Sequence, residues 1–407
     1  MQELIKDLVV KTDSKIILVV LDGLGGLPMA DGPYKGKTEL EAANTPNMDR
    51  LAAGGACGLH VPVALGITPG SGPGHLSLFG YDPLKCLIGR GILEAVGLGM
   101  EVKNTDVAVR CNYATIEKGI IKDRRAGRPP TDESRKLTER LQKEIPKIDE
   151  AELMFGQGIE HRFAVVMRFP EPLPPASSAI NDTDPQKTGQ PPLRPVPAAP
   201  QAEEVARVAE KLISKAAEIL KDEKTANYIL LRGFSELPHM PTFHEAYGLR
   251  GLAVANYPMY RGLARLIGMD APPVEGDIEE EINFLAANYG EYDFFFMHVK
   301  KVDSYGEDGN FEGKMKKIEE FDSMLPKMLE LNPDVLIITG DHSTPALLKG
   351  HSWHPVPVAI KSPYVLGGMC KGFHERECTK GELGIFPTIS LMPLALANAG
   401  RLKKYGA

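Results

Sequence analysis

Short continuous apolar runs, each ending in polar residues, recur along the chain. Residues 16–21 (IILVVL) end at Asp22-Gly23, residues 293–299 (DFFFMHV) run toward Asp303, residues 335–340 (VLIITG) end in Asp341-His342, and residues 356–360 follow His351. Runs of this length suit strands covered on both faces, the pattern of a mainly parallel sheet. Helical spacing of apolar residues predicts helices over 47–53, 277–288 and 313–331, so the alternation predicts an α/β, doubly wound, mostly parallel sheet. The middle of the chain departs from this pattern. From about 106 to 255 come a basic segment, a Pro-rich stretch over 170–200 and a helix over 202–220. Proline at that density disfavours regular structure and predicts a loop crossing a surface, with a partner-binding segment as the alternative. The expected organisation is a discontinuous core of 1–105 and 256–407 interrupted by a smaller α+β lobe over 106–255.

Composition narrows the function class. At 407 residues the chain exceeds what one core usually supports, and 43% apolar with 25% charged residues is ordinary for a folded globular protein. A net charge of −7 gives no global attraction to nucleic acid or to an anionic membrane, so an anionic ligand must be held by local basic clusters. Five widely spaced cysteines without a CxxC pair suggest neither a disulfide framework nor a zinc ribbon and fit a reducing cytoplasm. The run at 16–21 is too short for a signal core, and export or membrane insertion is not expected.

Residues just after parallel strands converge on one sheet edge, where α/β ligand sites lie. Asp22, Asp303, Asp341 and His342 hold such positions, and His351 precedes the next strand. Three carboxylates and two imidazoles suit Zn²⁺, Mn²⁺ or Co²⁺, although each residue alone is equally readable as a turn, cap or surface group. Ser71 lies among Gly70, Gly72 and Gly74 before a predicted helix at Leu76. It is either a nucleophile beside a phosphate-binding helix start or a helix cap.

Together with these residues, Asn44-TPNMDRLAAGG, Gly340-DHSTP and His351-SWHPVPV resemble the alkaline phosphatase superfamily. Thr68-PGSGPGHLSLFGYDP, Gly89-RGILEA, Asp123-RRAGR and Gly313-Lys314 resemble, within it, the archaeal type of 2,3-bisphosphoglycerate-independent phosphoglycerate mutase. That resemblance implies a cytoplasmic isomerase of glycolysis and gluconeogenesis. It would interconvert 3-phosphoglycerate and 2-phosphoglycerate through a phosphoserine, with two divalent metal ions (manganese, zinc or cobalt, magnesium also admissible) and no 2,3-bisphosphoglycerate. It implies that Asp22, Ser71, Asp341 and His342 hold one metal, with Ser71 the nucleophile, and that Asp303 and His351 hold the second. The family places a histidine four residues after that aspartate. This chain has Glu307 there, leaving Glu307 or His354 to complete the set. Arg124, Arg125, Arg128 and Arg261 are the implied substrate contacts, with Arg232, His161 and Arg162 weaker candidates. The partner is a small phosphorylated acid, and homo-oligomerisation is left open. The rival readings are a phosphatase or phosphotransferase for another small phosphorylated acid or hydroxy amino acid, and a non-catalytic metal- or phosphate-binding module.

Overall fold

A computed structural model describes residues 2–238 and 240–406, which divide into two compact units: Met1–Leu87 with Met240–Ala407, and Ile88–His239. Among the described residues of the first unit, seven strands form one mixed sheet. Its centre is Ile16–Leu21, flanked in parallel by Phe294–Val299 and Val335–Thr339, with Gly251–Ala255 parallel beyond Phe294–Val299. All six residues of Ile16–Leu21 are buried, which explains why its sequence is uniformly apolar rather than alternating.

On the other side of the sheet lies Val356–Lys361, which runs antiparallel to Val335–Thr339 and to Ala56–Val61. This reversal has a direct consequence for the edge described above. An antiparallel strand begins where its parallel neighbours end, so His351, which precedes Val356, reaches the same edge as Asp341 and His342.

The predicted helices are present as Pro46–Gly54, Ile278–Ala287 and Phe311–Leu329. The last two bury Ile282, Leu285, Ile318, Phe321 and Leu325 in one cluster with Ile17, Val19 and Phe295 of the sheet. The helix expected near Leu76 begins earlier, at Ser71, and runs to Leu78.

The second unit carries a six-stranded antiparallel sheet, a path of five strands with Tyr228–Glu236 as the sixth, paired to the longest, Asp106–Glu117. The helix Glu203–Leu220 buries Val205, Val208, Leu212 and Ile213 against that sheet. Its limits differ from the expected 106–255. The helix Arg90–Gly97 packs on the Asp106–Glu117 and Tyr228–Glu236 strands and so joins this unit, whereas Gly251–Ala255 pairs with Phe294–Val299 and belongs to the first. The Pro-rich stretch is a loop, pinned to the sheet where Thr183 exchanges hydrogen bonds with Leu231 through its backbone and hydroxyl. All five cysteines are buried and free. Among the described residues no helix is long and apolar enough to cross a membrane.

One buried acid makes a pH prediction. Glu281 accepts the Asn256 backbone N–H at 3.1 Å, but burial outweighs this bond and pushes its carboxyl up to about 8. A folded value above the unfolded one means that folding favours the protonated form. Its stabilising contribution is therefore complete below about 4.5 and is lost as pH rises through 8, by about 5 kcal/mol in all. Glu281→Gln should flatten that decline in chemical unfolding measured between pH 5 and 8.

Candidate functional site

Asp22, immediately after the central strand, is fully buried, as are Asp341 and His342 after Val335–Thr339. His342 Nε2 lies 3.4 Å from Asp22 Oδ1 and 3.1 Å from Asp341 Oδ2, and 3.4 Å from Ser71 Oγ. Both of those carboxylate oxygens are buried without a hydrogen-bond donor. Buried anionic oxygens facing an imidazole nitrogen are costly unless a cation joins them. The residues present thus fit a divalent ion, and mixed O/N donors suit Zn²⁺, Mn²⁺ or Co²⁺. Asp22, Asp341 and His342 place one ligand atom each within 4.8 Å of one another, and so do Asp303, His342 and His351.

Ser71 is the first residue of its helix. Gly70 is the N-cap and no side chain caps the helix. The hydroxyl is therefore free of the capping role that the sequence left open, and it faces the His342 ring at a helix start where backbone N–H groups are available to an anion.

In the second triad, His351 Nε2 lies 3.5 Å from Asp303 Oδ1 and 3.7 Å from Glu307 Oε1, while its Nδ1 is 3.0 Å from the Pro69 carbonyl. Burial disfavours the imidazolium of His351, but the Asp303 carboxylate and the Pro69 carbonyl outweigh it and raise the group to about 9. Asp303 and Glu307 stand one turn apart on the helix Lys301–Glu307, which brings the Glu307 carboxylate beside His351. His354 instead contacts the Ser352 hydroxyl at 3.1 Å and stacks on Trp353, and it joins neither triad.

Several neighbours escaped the sequence. Lys300 Nζ sits 3.0 Å from Asp22 Oδ2 and 2.5 Å from Asp303 Oδ2, bridging the two sets. Burial opposes its charge, yet the two carboxylates hold its ammonium above the usual lysine range. Tyr260 donates its hydroxyl to Asp22 Oδ2 at 2.5 Å. His75, one turn beyond Ser71, pairs with Asp341 Oδ2 at 3.2 Å. His298, inside the apolar run 294–299, stacks on Tyr260 and lies 3.3 Å from Asp22. Lys314, of the Gly313-Lys314 pair, is completely buried and donates to the carbonyls of Gly25 (3.0 Å) and Thr344 (2.9 Å), tying together the loops that carry Asp22 and His342.

The arginines expected to meet substrate divide. Arg124 makes a two-point ion pair with buried Asp184 at 2.7 and 2.6 Å, so that guanidinium is engaged within its own unit. Arg125 and Arg128 are exposed and have no ion-pair partner among the described residues. Arg261, in the first unit, donates to the carbonyls of Ala255 and Asn256. In the second unit the strands add what the sequence did not reveal. Arg110 lies opposite Arg232, and Arg162 opposite Asn112, across adjacent strands. Burial disfavours the Arg110 charge, and the guanidiniums of Arg162, Arg232 and Arg90 disfavour it further. Arg110 Nε, Asn112 Oδ1 and His161 Nδ1 are buried without a hydrogen bond, although Arg110 Nε lies 3.4 Å from Glu94 Oε2. Like charges opposed across strands are destabilising, and the carboxylates of Glu94, Asp182 and Asp184 offset Arg110 and Arg232 here.

The family model of 2,3-bisphosphoglycerate-independent phosphoglycerate mutase matches residues 52–226. A probable 2,3-bisphosphoglycerate-independent phosphoglycerate mutase of Aquifex aeolicus is 60% identical over 100% of both chains. One from Thermus thermophilus is 53% identical over 99% of this chain and 98% of that one. Among solved structures, the cofactor-independent phosphoglycerate mutase of Thermoplasma acidophilum is similar at a TM-score of 0.77 and 30% identity, covering 95% of this chain and 100% of that one. A protein from Pyrococcus horikoshii is similar at 0.81 and 30%, over 98% and 100%.

Proposed function

The chain belongs to the 2,3-bisphosphoglycerate-independent phosphoglycerate mutases, and from that membership we propose that it interconverts 3-phosphoglycerate and 2-phosphoglycerate by carrying the phosphoryl group on Ser71. The observation that supports this reading is the placement of Ser71 Oγ, uncommitted to capping, beside His342 Nε2 and the unpartnered oxygens of Asp22 and Asp341.

Asp22, Ser71, Asp341 and His342 would hold one divalent ion, and Asp303, His351 and Glu307 the other. When bound, such ions stabilise a serine alkoxide and neutralise charge on phosphoryl oxygens. Ser71 Oγ bonds to phosphorus as the bond from phosphorus to the C3 oxygen breaks, and that oxygen takes up the proton that serine gave up. The C2 oxygen of the same glycerate then bonds to phosphorus as the bond from phosphorus to Ser71 Oγ breaks, and Ser71 Oγ takes up the proton that the C2 hydroxyl gave up. Nothing is gained or lost overall. Within the second unit, the exposed guanidiniums of Arg125 and Arg128 are of the kind that gives two-point contact to carboxylate and phosphate.

Incubation of the manganese-loaded protein with ³²P-labelled 3-phosphoglycerate, following 2-phosphoglycerate and free phosphate together, tests the reading. Labelled 2-phosphoglycerate and an acid-stable label on Ser71 are expected. Free phosphate as the sole product would instead make the chain a phosphatase.

Glu307 carries a separate expectation. An anionic oxygen in place of a histidine nitrogen hardens the second site toward Mn²⁺. Glu307→His should move the preference toward softer metals in competitive titrations of Mn²⁺ against Zn²⁺ and Co²⁺, and an unchanged preference would remove Glu307 from the ligand set.

A further inference from the structure

Thr344 belongs to the Gly340-DHSTP segment, yet the reaction outlined above gives it no role. It is completely buried, and its hydroxyl touches both sets of candidate ligands: Oγ1 lies 2.8 Å from Asp303 Oδ1 and 2.9 Å from His342 Nδ1. The hydroxyl has a single proton. Asp303, with the Lys300 ammonium 2.5 Å from its other oxygen, is an acceptor. The Thr344 proton must then go to Asp303, so Thr344 Oγ1 can only accept from His342, whose Nδ1 carries hydrogen. In the neutral ring this leaves the lone pair on Nε2, the nitrogen that faces Asp22, Asp341 and Ser71.

The surroundings hold this hydroxyl in place. A side chain at Gly23 would come within 2.5 Å of Thr344 Oγ1, and Gly23 has φ +67°, so backbone conformation and clearance both call for glycine there. Gly306 is likewise cleared for the Thr344 carbonyl, and Lys314 fixes that carbonyl from the other side at 2.9 Å.

We propose that Thr344 is a positioning residue: its hydroxyl relays a hydrogen bond from His342 to Asp303, fixes the His342 tautomer with Nε2 open, and thereby couples the two metal positions. The proposal rests on the metal reading given above, and its test separates the two. Thr344→Val keeps the shape and removes the hydroxyl, and Thr344→Ser restores it. Calorimetric Mn²⁺ titration of wild type and both variants should show affinity reduced about 10–100-fold at both positions in Thr344→Val and recovered in Thr344→Ser, the range seen when such supporting partners are lost. In ¹⁵N-histidine-labelled protein, the neutral His342 ring should show a protonated Nδ1 in wild type and Thr344→Ser, and a mixture of tautomers in Thr344→Val. Wild type that binds no divalent metal would sink the metal reading and leave the relay to be decided by the tautomer. Full Mn²⁺ affinity in Thr344→Val, or a wild-type His342 protonated at Nε2 rather than Nδ1, would overturn the relay. Failure of Thr344→Val to fold would pass the decision to the wild-type and Thr344→Ser spectra.

Discussion

Ser71→Ala should lower kcat by three decades or more while leaving the fold and its stability nearly unchanged. Three decades correspond to about 4 kcal/mol of lost transition-state stabilisation. The split between activity and stability is what gives the experiment its force. Ser71 Oγ lies 3.4 Å from His342 Nε2, interacts with the Tyr260 hydroxyl, and caps no helix, since the N-cap is Gly70. A half-buried hydroxyl so placed contributes little to stability, on the order of 0.5 kcal/mol. Steady-state kinetics paired with urea unfolding would read both quantities. A variant that kept more than a tenth of wild-type turnover, a loss below about 1.4 kcal/mol, would remove Ser71 as nucleophile.

Exhaustive chelation should abolish isomerisation, with activity returning on addition of Mn²⁺. Asp22, Asp303 and Asp341 are buried on one edge, where the Lys300 ammonium reaches Asp22 and Asp303 and the rings of His75 and His342 meet Asp341. Two like charges about 4 Å apart at a partly screened site repel by about 4 kcal/mol. The chelated protein should for that reason also melt at a lower temperature and recover on metal addition, a readout independent of turnover. Elemental analysis of the chelated sample completes the experiment. Full turnover with no metal remaining would overturn the assignment.

Much of the candidate site's geometry was legible because its residues are tethered to strong local signals. Asp22, Asp341 and His342 follow uniformly apolar runs, and Ser71 lies in a glycine-rich turn. What could not be read depends on register and on distant packing. His298 looked like filler inside the strand 294–299, yet pleating turns it toward Tyr260, which arrives from a separate helix. Arg110 and Arg232 meet across two strands whose alignment includes a register shift, which the residues of either strand alone do not encode. The unit limits were displaced because Arg90–Gly97 has the amphipathic spacing of any core helix, and because GLAVA at 251–255 is a short run at a composition boundary. Arg124 resembled a substrate contact until its partner, Asp184, emerged from the Pro-rich loop.

The pairing of Ile16–Leu21 with Phe294–Val299 and Val335–Thr339 has a consequence for how the chain is made. The innermost strand leaves the ribosome first, but its neighbours follow only after about 270 further residues, roughly 15–55 s of synthesis. Within that interval the unit Ile88–His239, with a hydrophobic core of its own, is made in full and can close before Phe294 appears, while IILVVL waits as an unpaired, uncharged segment of high β-propensity. The nascent chain is thus most exposed to aggregation in its first-made strand, and a holdase that covers residues 16–21 until Phe294 emerges would protect it where protection matters most.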